Sequence, residues 1–92
     1  MNRNTVALSG TVDVRMLLPF INEARNQARR SNVPIGLEFD CTGVDDFTSL
    51  ALAHLAKSRR GLEHDGSDLA LIRCSERVKS RMVHPLFEAL CE

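Results

Sequence analysis

The sequence predicts a single small α/β domain: a mostly parallel or mixed sheet with helices mainly on one face, in the order β-α-β-α-β-α-α. Three observations carry this. Short β-branched or alternating runs are separated by longer segments whose apolar residues recur every three or four positions. The changes of period fall at Gly, Pro, Asn or Asp, the residues that favour turns. Strand–helix–strand units of this length form parallel pairs with right-handed crossovers. Residues 1–92 hold one core and leave no room for a second, so the whole chain is read as one domain.

Thr5-Val6-Ala7-Leu8-Ser9 reads as a short strand stopped by Gly10. From Asp13 onward, Val14, Leu17, Leu18, Ile21, Ala24 and Ala28 form one stripe of an amphipathic helix, with Arg25, Arg29 and Arg30 opposite. Pro19 interrupts that helix, either bending it or marking where its regular part begins. Ser31-Asn32-Val33-Pro34 is a turn, and Ile35 to Asp40 alternates as a second strand. Thr42 to Phe47 reads as an acidic loop. A second helix starts at Thr48-Ser49, runs through Leu50-Ala51-Leu52 and turns basic at Lys57, Arg59 and Arg60, which suits its dipole. His64 to Ser67 closes it. Asp68 to Cys74 is the third strand, Ser75 to Val83 a capped helix, and Pro85 to Leu90 a last short one.

Composition excludes several classes of function. Lys+Arg and Asp+Glu balance at 12 each, so the strong basic excess of a nucleic-acid binder is missing. Trp and Tyr are absent, which leaves no aromatic platform for stacking bases. No run approaches the roughly 20 apolar residues that span a bilayer, and the start has no apolar core of signal length. Cys41, Cys74 and Cys91 form no C-x-x-C pair, so they read as reduced thiols of a cytoplasmic protein. Cys41 and Cys74 both end parallel strands, which would make them neighbours within the packing.

Candidate chemistry is sparse. Asp40, Asp45 and Asp46 offer too few oxygen ligands for a divalent ion and no positioned partner for acid–base work, so they read as solvated acids. His54, His64 and His84 lack ligand spacing, so no metal is expected. No phosphate loop, nucleophile elbow or Ser-His-Asp order is present, so neither an enzyme nor a cofactor is expected.

The order of elements resembles the STAS family. A strand running into Gly-x-x-Asp appears as Val6-Ala7-Leu8-Ser9-Gly10-Thr11-Val12-Asp13, and the central strand ends in Asp as Leu37-Glu38-Phe39-Asp40. Where the family places Asp-Ser-Ser-Gly-Leu, this chain reads Thr48-Ser49-Leu50-Ala51-Leu52. The similarity covers residues 5–90, and the strand that family members carry before Thr5 is missing or very short.

The resemblance implies a non-enzymatic regulatory module of the anti-sigma-factor-antagonist type. Its partner would be an anti-sigma factor with serine-kinase activity, met through Asp45, Asp46, Phe47, Thr48, Ser49, Leu50 and Leu52. Ser49 matches the family's phosphoacceptor, although Thr48 replaces the Asp before it, Leu50 the second Ser and Ala51 the Gly. The Leu17-Leu18-Pro19 segment is similar to STAS subunits of phospholipid-transport ABC systems, where the same face would dock on the ATPase. At a helix start, Thr48 or Ser49 also serves as a plain cap. A phosphate on Ser49 would sit beside Asp45 and Asp46 and repel an acidic partner. An uncovered sheet edge would invite a second copy, so a homodimer is a further expectation.

Overall fold

A computed structural model describes residues 2–91, apart from the side chain of Leu86; Met1 and Glu92 lie outside the described residues. Three strands alternate with two long and two short helices: β1 (Asn2–Val12), α1 (Val14–Ser31), β2 (Ile35–Phe47), α2 (Ser49–His64), β3 (Asp68–Ile72), α3 (Glu76–Ser80) and α4 (Pro85–Glu88). The sheet is entirely parallel and its spatial order, β1-β2-β3, is the order in sequence. Two right-handed crossovers between adjacent strands, both advancing in the same direction, carry α1 and α2 to the same face.

That one-sided covering explains the burial along β2. Ile35, Leu37, Phe39 and Cys41 are buried, whereas Glu38 and Asp40, between them, are only partly covered. Leu37 pairs in register with Leu69 and Phe39 with Leu71, so the core side of the sheet is a continuous apolar layer. From α1 this layer receives Leu17, Ile21 and Ala24, and from α2 Ala51, Leu52, Leu55 and Leu62. Leu18, expected in the stripe of α1, is 37% exposed and lies at its margin. The polar face instead carries ion pairs, Arg3 with Glu38 at 3.1 Å and Arg73 with Asp40 at 2.8 Å.

Both long helices begin with a side-chain cap. Asp13 accepts from the Met16 N–H and Thr48 from the Ala51 N–H, each satisfying a donor that the first turn leaves unpaired. Pro19 lies inside α1, whose regular part begins before it at Val14. The helix ends at Asn32, whose left-handed φ of 53° turns the chain toward β2.

Several element boundaries differ from expectation: β1 starts at Asn2 rather than Thr5, and α3 and α4 end earlier, at Ser80 and Glu88. Gly10 does not stop β1; with a φ of 69° it stays in the strand, which runs on to Val12. Thr42 to Phe47 is not a loop but the second half of β2, because its backbone pairs with Ser9 to Val12. Two register shifts permit this. While β1 advances from Ala7 to Ser9, β2 advances from Asp40 to Gly43, and from Gly10 to Thr11 it advances from Val44 to Asp46. Such bulges disrupt the simple alternation that marks a strand in sequence. Finally, β3 ends at Ile72 rather than Cys74, since Arg73 takes a positive φ of 56° that extended backbone excludes.

Candidate functional site

The carboxyl ends of β1 and β2 feed directly into the first turns of α1 and α2. The Thr48 N–H donates to the Val12 carbonyl at 3.0 Å, which ties the start of α2 to the end of β1. The Thr48 hydroxyl accepts from Ala51 N at 3.1 Å and its carbonyl from Leu52 N at 3.1 Å. Capping is therefore the work of Thr48. Ser49, the first residue of α2, is exposed, and no described residue takes its hydroxyl.

The expected contact residues divide by burial. Asp45, Ser49 and Leu50 are exposed, Leu50 by 75%, and Asp46 and Thr48 are half-buried. Phe47 and Leu52 are 1% and 2% exposed and belong to the hydrophobic core. The expectation that those two face a partner is thus corrected: they support the surface from beneath. Their spacing explains it, since Phe47 is the last inward residue of β2 and Leu52 lies on the inner side of α2 with Leu55.

One residue of this region escaped the sequence reading. Arg81, which ends α3, reaches back across 35 positions. Its Nε lies 3.1 Å from Asp46 Oδ1, and its Nη2 donates to the Phe47 carbonyl at 3.3 Å. Asp46 Oδ1 also accepts from the Phe47 N–H at 2.9 Å. Asp46 is therefore a neutralised, oriented carboxylate, and Asp45 is the one whose charge faces water without a described ion pair. No local pattern in the sequence links Arg81 to Asp46, since only the return of the chain past β3 brings them together.

A shallow hollow of about 260 Å³ lies between the two helix starts, lined by Asp13, Val14, Arg15, Thr48 and Leu50. The exposed Leu50 forms part of its wall, and Arg15 brings a cation within the same hollow. Among the described residues the strand order never reverses, and such a reversal is where open α/β folds usually form the crevice that binds small ligands.

Asp40, grouped with Asp45 and Asp46 in sequence, lies apart on the polar sheet face. Its Oδ1 accepts from the Thr42 hydroxyl at 2.6 Å and the Thr42 N–H at 2.9 Å, and Oδ2 accepts from Arg73 at 2.8 Å. The Thr42 hydrogen bonds, with the Arg73 charge behind them, hold its carboxyl below the ordinary carboxylate value. Among the described residues, no group of three or more His, Cys, Asp or Glu is placed to hold a metal ion. His54 keeps its Nε2 buried without a hydrogen-bond partner on α2, away from any cluster of ligands. No helix in the described chain is long and apolar enough to cross a membrane.

Comparison with known proteins adds the fold and little else. No family model matches the chain, and no curated protein matches it. Among solved structures it is similar to one described as "Crystal Structure Analysis of Mglu", with a TM-score of 0.60 and 17% identity. The match covers 83% of this chain but only 18% of that one. At such low identity the likeness establishes a shared compact α/β architecture and no common activity.

Proposed function

We propose that this chain is a protein-binding module of the STAS type, an anti-sigma-factor antagonist whose docking face is the first turn of α2. One observation carries the reading: Ser49 and Leu50 stand exposed side by side at a helix start already capped by Thr48. A free hydroxyl and an exposed apolar side chain suit contact with another protein, because neither is used by the fold. Asp45 adds a charge at the rim, while Arg81 keeps Asp46 fixed. Phosphate on Ser49 would meet unpaired N–H groups and the positive end of α2, and the added charges would repel an acidic partner.

The test uses a kinase-type anti-sigma factor with ATP. Ser49 should gain one phosphate, Ser49→Ala should gain none, and Leu50→Ala should weaken binding at least tenfold with folding stability unchanged. Labelling that persists in Ser49→Ala overturns the switch, and full binding by Leu50→Ala overturns the docking face.

The alternative, a STAS subunit docking on the ATPase of a phospholipid-transport ABC complex, draws on the exposed Leu18 and Phe20 that flank Pro19 on α1. It calls for co-purification with an ATPase and an unmodified Ser49, and a native pull-down that recovers the chain alone would sink it. In either setting, a second copy would pair along the outer edge of β1, giving a homodimer.

A further inference from the structure

The chain brings sulfur atoms together just beyond the end of β3. Cys74 Sγ and Cys91 Sγ are 2.7 Å apart although 17 positions separate them, and Met82 Sδ lies 3.2 Å from Cys91 Sγ. Two features of the backbone hold this arrangement. Arg73, in the left-handed region at φ 56°, breaks β3 just before Cys74 while its guanidinium is held by Asp40 on the polar face. The C-terminal segment then returns beside β3, where the Leu71 N–H donates to the Leu90 carbonyl at 2.7 Å and Leu71 bridges to Cys91. Both thiols are partly exposed, whereas Cys41, also near Cys74, is fully buried. A hollow of about 290 Å³, lined by Lys79, Met82, Glu88 and Cys91, opens a way to them for a small oxidant.

We propose that Cys74 and Cys91 are a reversible oxidation site, closing to a disulfide when the protein meets a peroxide. One thiolate attacks an oxygen of hydrogen peroxide. An S–O bond forms, the O–O bond breaks, and the departing hydroxide leaves as water after taking up a proton. The second sulfur then attacks the sulfenic sulfur: the S–S bond forms, the S–O bond breaks, and hydroxide takes the remaining thiol proton as a second water. Two electrons pass from the sulfurs to the peroxide, and a dithiol reductant returns both thiols by exchange.

The site is slow rather than poised. The Cys41 thiol, with burial behind it, raises Cys74 to about 11, and Cys91 is raised by its contact with Cys74 and by burial. Among the described residues, Cys41 of β2, Lys79 of α3 and Glu88 of α4 are the other ionisable groups around the pair. The Cys91 thiol donating to Cys74 and the Lys79 charge favour the Cys74 thiolate, but Cys41 and burial outweigh them. Thiolate is therefore scarce near neutrality and its fraction climbs with pH, so closure is faster in alkaline solution. Once closed, the link brackets α3 and α4 and pins to β3 the segment that carries Arg81. This oxidation site is independent of the partner-binding reading.

The full-length protein, treated with hydrogen peroxide, should lose about 2 Da and yield one peptide pair joining Cys74 to Cys91, reversed by dithiothreitol. Closing a loop of this length should raise the thermal midpoint by about 10 °C, a gain that Cys91→Ser should lack. A link through Cys41 or between chains, or sulfinic acid without a cross-link, would each overturn the site. If Cys91→Ser does not fold, the wild-type peptide map before and after dithiothreitol decides the matter.

Discussion

Asp40 shows how far the setting of a single residue departs from what its type suggests. In sequence it is one of three acids within seven positions; in the fold it is bound by Thr42 and Arg73, whereas Asp46 is held by Arg81. Because its folded pKa is depressed, its contribution to stability is present above the unfolded carboxylate value and is lost as pH falls through the lowered one. The hydroxyl of Thr42 is the largest cause, so Thr42→Val should move the Asp40 carboxyl back toward its ordinary pKa, read by NMR titration. An unmoved titration would assign the depression to Arg73 instead. Partly exposed on the polar sheet face and paired with a solvent-screened Arg73, Asp40 should change overall stability little.

For the elements, the start of α2 is where structure and function separate most cleanly. Thr48 and Ser49 are adjacent hydroxyl residues that sequence alone cannot rank as caps. Only the backbone angles rank them, with Thr48 extended and its oxygen turned onto Ala51 N. Thr48→Ala should therefore cost about 1 kcal/mol of stability, and Ser49→Ala less than about 0.5 kcal/mol, measured by urea unfolding. Equal losses would show that the cap is shared and that Ser49 is not left available for a partner. The same logic separates Leu50 from Leu52: two positions apart, they occupy opposite sides of one helix turn, one 75% exposed and the other buried.

The whole molecule is asymmetric in its edges as well as its faces. The short strand β3 is partly covered by the returning Leu90–Cys91, whereas β1 runs 11 residues with pairing on one side only. Beyond Arg3, β1 carries no charge or proline to blunt that edge, and natural edges are usually blunted by such residues. If a second copy pairs there, a lysine on the edge should break the pairing. Sedimentation should show a dimer for the wild type and a monomer for Ala7→Lys, and a monomeric wild type would dismiss the homodimer.

Element order, the parallel sheet, the capped helix starts and most of the core were legible in the chain, because periods of 2.0 and 3.6 and local cap chemistry need only neighbouring residues to be read. The second half of β2 was not, since two bulges against β1 disguise its alternation and its acidic residues resemble a loop. Nor were the Arg81–Asp46 contact or the Cys74–Cys91 pair, which depend on the C-terminal segment returning past β3. In the same way, Ser49 was picked out through the resemblance to the STAS motif, but that Thr48 leaves its hydroxyl free follows from backbone geometry alone. Local patterns are written in adjacent residues; contacts between distant ones arise only when the packed core decides which faces meet.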